Sequence, residues 1–460
     1  MYIKPHDIKK LPKSLPIKKL IGPSFIILGL GFGSGELILW PYLTSNYGMG
    51  IIWAAVVGIG LQFFMNMEIE RYALARGESV FVGFARKLKL LPIWFVFSTF
   101  VPWIWPGIAA SSAKLLGTIF GVEQTTYLTI AILVTTGTIL SLGPVLYKTV
   151  EFIQKHMTLI AAPTVLLLAL LIAEKVHWEA LANGLIGNGD GYKFLPAGIP
   201  VASFLAALAY AGAGGNLNLS QSFYAREKGY GMGAYAKKIK SLFTSKNDNV
   251  SITGSKFEID SQNITEFKKW WKNINIEHFT VFFLTGAVTM ILLGLLSFAT
   301  TYQHAGTSSG LNFLILESQK IGELLFPLVG TFFLAIAGIM LFNTQLGVFD
   351  ATSRILAENI ILSSNRLEEK SIPKVYYSIL WIQILAGIIV LLLGVTEPLQ
   401  LVIISAVLNA FAMFVHVGLT LWLNLTSLEK EIRPGIFRIA VMTIAFLFYG
   451  GFSVYTIITY

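Results

Sequence analysis

Gly31-Phe32-Gly33-Ser34-Gly35-Glu36 interrupts the first long apolar run of this 460-residue chain, between Leu20 and Leu43. Each glycine lowers helix stability by roughly 1 kcal/mol relative to alanine, and a carboxylate follows at once. Inside a bilayer, freed backbone groups persist only where protein or a water-filled cavity satisfies them. An intramembrane carboxylate marks a functional site by default. A second interruption, Ala211-Gly212-Ala213-Gly214-Gly215-Asn216-Leu217-Asn218, lies in a later apolar run. Two broken spans in corresponding places point to a transporter binding site.

The surrounding chain has the composition of a membrane protein. It is 55% hydrophobic and 13% charged, with a mean hydropathy of +0.68, whereas soluble domains carry about a quarter charged residues. The absence of cysteine rules out disulfides, thiolate metal ligands and cysteine nucleophiles. The net charge of +9 fits the basic cytoplasmic loops of membrane proteins better than a nucleic-acid partner. Lys4, Lys9, Lys10, Lys13, Lys18 and Lys19 precede the first apolar run. That run is too long for a signal peptide, and no A-x-A-like cleavage site follows it. It reads as a retained span.

A crossing helix needs about 20 apolar residues. The qualifying runs are Leu20–Leu43, Gly50–Leu74, Leu91–Leu116, Tyr127–Leu142, His156–Ala173, Leu195–Phe223, Phe279–Thr301, Leu324–Ile355, Val375–Gly394, Leu399–Leu425 and Ile436–Thr459, eleven in all. With the N-terminus inside, 30 of the 34 Lys and Arg fall on the inner side, and only Lys114, Lys175, Lys193 and Lys320 fall outside. Dropping or merging an early span destroys this asymmetry, so the positive-inside rule supports both count and direction. The expected protein is a single multi-pass domain of the plasma or inner membrane. It has a cytoplasmic N-terminus (1–19), five spans and a broken sixth (20–226), a polar cytoplasmic insertion (229–278), spans 7 to 11 (279–460) and an outer C-terminus.

The insertion contains Lys268, Lys269, Trp270, Trp271 and Lys272. These suit either a short amphipathic helix at the inner membrane surface or a solvated loop. Asn249-Val250-Ser251 and Asn263-Ile264-Thr265 match the glycosylation pattern, but an inner loop does not meet that machinery. The breaks fall in spans 1 and 6, so five spans start at each, in opposite directions. The fold class expected is an all-α integral membrane protein with a LeuT-like fold: a 5+5 inverted repeat plus an eleventh span.

Unwound backbone at mid-membrane offers carbonyl ligands, and half-helix ends offer partial charges. Glu36 supplies the negative charge, Asn216 and Asn218 supply amide oxygens, and Gly33 and Ala213 supply carbonyls. Such oxygens suit Mg²⁺, Mn²⁺ or Ca²⁺. With no sulfur or imidazole at either break, a tetrahedral zinc site is disfavoured. The competing reading makes Gly31, Gly33 and Gly35 close-packing residues for a neighbouring helix. For either break alone that reading is preferred. For the pair, the substrate site is.

Other polar groups are less specific. Asp350 and Arg354 form an i,i+4 pair. Asn409 reaches the site or bridges helices, and His416 reads as a satisfied bundle histidine. Glu68, Glu70 and Arg71 form a charge cluster at the inner end of span 2. Pro102 and Pro106 kink span 3. No phosphate loop or hydrolytic constellation appears, and no enzymatic activity is expected.

From Ile21 to the eleventh span the chain resembles the Nramp family of metal-ion transporters. The similar passages are Gly22-Pro23-Ser24-Phe25, Gly50-Ile51-Ile52-Trp53, Leu61-Gln62, Arg71-Tyr72-Ala73-Leu74-Ala75-Arg76-Gly77-Glu78, Gly212-Ala213 and Leu425-Thr426-Ser427. The resemblance implies a LeuT-like fold, eleven spans, an inner N-terminus and a metal site between spans 1 and 6. The chain also departs from the family. The family's Asp-Pro-Gly-Asn reads Gly33-Ser34-Gly35-Glu36, and its Met-Pro-His reads Asn216-Leu217-Asn218. The metal-binding aspartate is replaced by Gly33, and the methionine ligand and the histidine are gone. The acids of span 3 and the arginine of span 9, which form the family's proton route, are absent from Leu91 to Ala113 and from Val375 to Gly394.

The function expected is secondary transport of a divalent cation, hard ions such as Mg²⁺ or Mn²⁺ favoured, with weak or no proton coupling. Glu36, Gly33, Ala213 and Asn216 are the expected metal ligands, with Ser34 and Asn218 lining the substrate site. No cofactor beyond the transported ion is expected, and the partners are the lipid bilayer and that ion. A monomer suffices. Two alternatives stay open: the same fold carrying an organic cation or amino acid, or a non-transporting receptor whose 229–278 insertion is an interaction arm.

Overall fold

The computed structural model describes residues 3–142, 146–236 and 252–459. Among these, nine helices are long and apolar enough to cross a membrane. Two further spans escape that count for local reasons. Span 4, Thr126–Leu142, is short, and span 6 is broken between Val201–Ala209 and Gln221–Lys228. Together they give a multi-pass all-α membrane protein with eleven spans in the expected order. Span 1 is Pro23–Tyr47 and span 3 is Leu91–Ile119, interrupted between Trp103 and Gly107. Span 2 is Trp53–Arg76, span 5 Leu146–Ile172, span 8 Pro327–Ser363, span 9 Ile372–Leu392, span 10 Pro398–Ser427 and span 11 Ile436–Thr459.

The span 3 interruption has a simple cause. Pro106 has no N–H to donate and Pro102 loosens the turn before it, so the helix stops at Trp103 and restarts at Gly107. The core lies around span 1, whose apolar stretch is wholly enclosed. Spans 5, 6, 7 and 8 pack on it. Phe97, Leu167, Leu170, Leu385, Leu392 and Leu447 are exposed on outer spans, as a lipid-facing surface requires.

The insertion ends in a helix over Ser261–His278, capped by the Asp260 carboxylate on the Asn263 N–H at 2.7 Å. It is not a separate surface helix. A π-helical turn at Phe279–Leu284 carries it directly into Thr285–Thr301, and this continuous rod is span 7. Trp270 is buried and donates to the Pro12 carbonyl at 2.8 Å. The strand Asp7–Ile8 pairs in parallel with Ser255–Lys256, so the N-terminal segment and the insertion cover the same end of the bundle. Asn249 and Ser251 lie outside the described residues.

At that end Glu78 receives His6 at 2.9 Å and Arg86 at 3.0 Å. Burial pushes its carboxyl up, but the hydrogen bonds and charges of His6 and Arg86 outweigh it and hold it at about 2. At the opposite end the helix Asn312–Leu324 buries Glu317. Burial pushes that carboxyl up to about 8, against a smaller opposing effect from the Ser297 hydroxyl.

Candidate functional site

The glycine run of span 1 does not unwind. Phe32–Leu39 forms a π-helix, and the Trp40 N–H reaches back to the Gly35 carbonyl. The cause is an inserted side chain. The Thr344 hydroxyl donates to the Gly29 carbonyl at 2.9 Å and accepts the Gly33 N–H at 3.0 Å. Those two groups would otherwise bond to each other in an α-helix. A hydroxyl wedged into the ladder is a recognised origin of a π-bulge, and glycine keeps the resistance to it low. The unwound backbone expected here is therefore corrected to a widened helix.

The four marked positions face different neighbours. A methyl group on Gly31 would lie 2.5 Å from the Gly212 carbonyl carbon, and one on Gly35 2.5 Å from that of Tyr210. Gly31 and Gly35 thus let spans 1 and 6 touch at backbone distance. Gly33 faces span 8, where a methyl would lie 2.6 Å from the Thr344 hydroxyl. Glu36 turns to span 7, where its Oε2 accepts from the Thr289 hydroxyl. Its Oε1 is buried without a partner, beside Gly286. Ser34 is buried. Among the described residues no hydrogen bond joins Glu36 to the span 6 break.

Span 6 does break. Its helix ends at Ala209, and a 3₁₀ turn over Gly215–Ser220 leads into the second half. Gly214 and Gly215 have φ of +77° and +56°, a region that glycine enters freely. The freed backbone groups are met by side chains. Gln62 donates to the Ala209 carbonyl at 3.0 Å and accepts the Gly214 N–H at 3.4 Å. His416 Nε2 lies 3.0 Å from the Gly215 carbonyl. Ala213 is buried. Asn216 donates to Ser98 at 2.8 Å and Thr99 at 2.9 Å, and its Oδ1 has no partner. Neither side-chain polar atom of Asn218 has one. Unsatisfied buried amides cost roughly 1–3 kcal/mol each, so these oxygens are available donors for a cation.

Tyr210, at the start of the break, stacks on Trp103 at 5.6 Å. Its hydroxyl meets Ser405 at 2.7 Å and Asn409 Nδ2 at 3.0 Å. Trp103, Tyr210, Gln345, Gln383 and Ser405 surround a cavity of about 10 Å³, room for a single water.

On the side of the break that carries Gln221–Lys228 the bundle is tied shut. Arg354 bonds Asp350 at 2.8 Å, as the i,i+4 spacing anticipates, and also Glu227 of span 6. Tyr376 of span 9 donates to Asp350 at 3.0 Å. Lys228 meets Glu151 of span 5 at 2.6 Å. The roles of Thr289, Gln62 and Thr344 were not visible in the sequence, because each acts across helices distant along the chain. His416 and Asn409 were visible as polar residues in apolar spans, without their targets. Among the described residues no group of three or more His, Asp or Glu is preassembled for a metal.

No protein-family model matches the sequence, and no curated protein matches it. The fold does match solved structures. A mutant manganese transporter from Eremococcus coleocola is similar over 99% of this chain and 89% of its own, with a TM-score of 0.66 at 13% identity. The same transporter in complex with an aromatic bis-isothiourea substituted compound gives 0.65 over the same coverage. The chain thus shares the fold of these transporter structures, in keeping with the fold that its motifs led us to expect.

Proposed function

We propose that this protein is a secondary transporter of a divalent metal ion, with hard ions such as Mg²⁺ or Mn²⁺ favoured over soft transition metals. The observation that carries this reading is the Glu36 carboxylate. It is enclosed at the widened turn of span 1, with Oε1 free, next to a span 6 break whose Asn216 and Asn218 oxygens are also free. An enclosed carboxylate with spare acceptors is costly unless it is protonated or meets a cation. Glu36, Asn216 and carbonyls near Gly33 and Ala213 form the ligand set, with Ser34 and Asn218 lining it. Because Glu36 faces span 7 in this state, the set closes only when spans 1 and 6 shift relative to one another. Rocking of the two repeats about the breaks supplies that movement, and the Arg354 ties are what must release on the cytoplasmic side.

With no methionine or histidine in the sequence of either break, and the His416 Nε2 spent on the Gly215 carbonyl, an all-oxygen ligand set gives soft metals no advantage. The missing acids of span 3 and arginine of span 9 leave proton coupling weak or absent. The protein sits in the plasma or inner membrane with its N-terminus inside. The likeness to a manganese transporter supports the fold that this reading needs.

Thermal unfolding of the purified protein against a panel of Mg²⁺, Mn²⁺, Zn²⁺, organic ammonium ions and amino acids tests it. A ligand of the folded state raises the melting temperature by mass action. The expected result is stabilisation by Mn²⁺ or Mg²⁺ that Glu36→Gln abolishes. Stabilisation by an amine or amino acid, with none by metals, overturns the metal assignment.

A further inference from the structure

Where span 2 ends, span 11 begins and the Ser261–His278 helix crosses between them, a cavity of about 360 Å³ opens. Arg71, Lys268, Arg433 and Arg438 line it together with Trp271 and Phe437. Four cations share few carboxylates. Glu68 serves both Arg71 at 2.7 Å and Arg438 at 3.3 Å, and Glu431 lies on the rim. Arg433 spends its Nε on the Leu428 carbonyl at 2.7 Å. Neither it nor Lys268 joins an ion pair among the described residues. The site therefore carries a surplus of two positive charges.

The cavity is built rather than incidental. The Trp271 ring is met by the Arg71 guanidinium at 3.8 Å and the Arg438 guanidinium at 4.7 Å. These cation–π contacts hold both groups against the ring, while Arg71 also bonds Glu68 and the Ile432 carbonyl and Arg438 bonds Glu68 and Asn275, so the lining is fixed in place. Span 11 starts at Ile436, so its leading N–H groups lack intrahelical acceptors and favour an anion there. Beyond the cavity the surface turns apolar at once. Ile436 is 87% exposed and Phe437 69% exposed, and Ile444 and Leu447 extend the exposed lane along span 11. A basic pocket continuous with an apolar lane has the shape of a phospholipid: phosphate at one end, acyl chain along the other.

We propose that this cavity binds the headgroup phosphate of an anionic phospholipid, with its acyl chains against span 11. Basic pockets between spans at the cytoplasmic boundary suit such headgroups, each Lys or Arg contributing about 1 kcal/mol. Because Arg71 and Arg438 share Glu68 at the end of span 2, bound lipid draws positive charge away from that carboxylate and braces span 2 against span 11.

The test uses the full-length protein in detergent, with native mass spectrometry and thermal unfolding as readouts. The probes are phosphatidylglycerol, phosphatidylcholine and inorganic phosphate. Phosphatidylglycerol is expected to remain bound and to raise the melting temperature, whereas the other two do neither. Lys268→Gln combined with Arg433→Gln alters two exposed side chains that join no ion pair among the described residues, so folding survives. It should weaken phosphatidylglycerol binding by roughly 10- to 30-fold. An unchanged phosphatidylglycerol affinity in the double variant overturns the site. Equal stabilisation by phosphatidylcholine or by inorganic phosphate overturns the anionic-lipid assignment.

Discussion

Gly35→Ala separates two readings of the glycine run with opposite signs. Helix propensity alone makes alanine better than glycine by about 1 kcal/mol, so an isolated span 1 would gain stability. In the folded protein the added methyl would meet the Tyr210 carbonyl carbon at 2.5 Å and its Cβ at 3.1 Å. The Tyr210 carbonyl oxygen lies closer still, and ordinary contact begins near 3.4 Å, so spans 1 and 6 must part by about 1–2 Å. The obstacle is backbone, which cannot rotate away as a side chain can. Overpacking of this kind costs about 1–3 kcal/mol or more, and the parted helices also loosen the Tyr210 contacts with Trp103, Ser405 and Asn409. The net expectation is a loss of about 1–2 kcal/mol after the propensity gain. The assay is thermal unfolding of purified protein, with Gly60→Ala as control, since a methyl there meets nothing closer than 3.7 Å. Gly35→Ala should melt several degrees lower while Gly60→Ala melts at or above the parent. A Gly35→Ala protein as stable as its control would refute the backbone-contact geometry of the two breaks.

Further outcomes follow from the ion pairs and acids. Arg354→Met keeps the volume but strands Asp350 and Glu227 as buried charges, which costs about 3–5 kcal/mol. Its melting temperature should fall well below the parent's, and an unchanged value would show the tie to be idle. Glu317 titrates at about 8 in the folded protein against about 4.5 unfolded. From pH 4.5 to 8 the unfolded chain therefore sheds a proton that the folded chain keeps. Stability falls over that window by as much as about 5 kcal/mol, and Glu317→Gln should remove the alkaline loss in melting curves recorded across it. Glu78 has the opposite sign. Its depressed value of about 2 contributes stability above pH 4.5 that disappears as pH falls toward 2. Limited proteolysis of the N-terminal segment should accelerate over that acidic window in the parent, and far less in Glu78→Gln.

The sequence was legible where the physics is local. Span lengths, the basic inner loops and the Pro102–Pro106 interruption depend on neighbouring residues and on the bilayer, and the eleven spans stand in the order read. The positive-φ glycines Gly214 and Gly215 marked the true break in span 6. The form of the span 1 break was not legible, because Thr344, some 310 residues downstream of Gly33, decides it. A π-turn also changes which face each following residue presents, so the direction of Glu36 cannot be read from an α-helical wheel. The tryptophan-rich end of the insertion suggested a surface helix. It runs on into span 7 without a break, and the burial of Trp270 beneath the N-terminal segment depends on a contact between segments more than 250 residues apart.

Uptake of Mn²⁺ and Mg²⁺ into proteoliposomes, comparing the parent with Glu36→Gln, tests the transport reading most directly. The variant keeps a hydrogen-bonding group for Thr289 and loses only the charge. Parent vesicles should accumulate Mn²⁺ or Mg²⁺ at rates little changed by an imposed pH gradient, and Glu36→Gln should be slower by at least roughly tenfold, the equivalent of 1.4 kcal/mol. Equal uptake by the two proteins would contradict the assignment of Glu36, and no uptake of either ion by the parent would contradict the transport function itself.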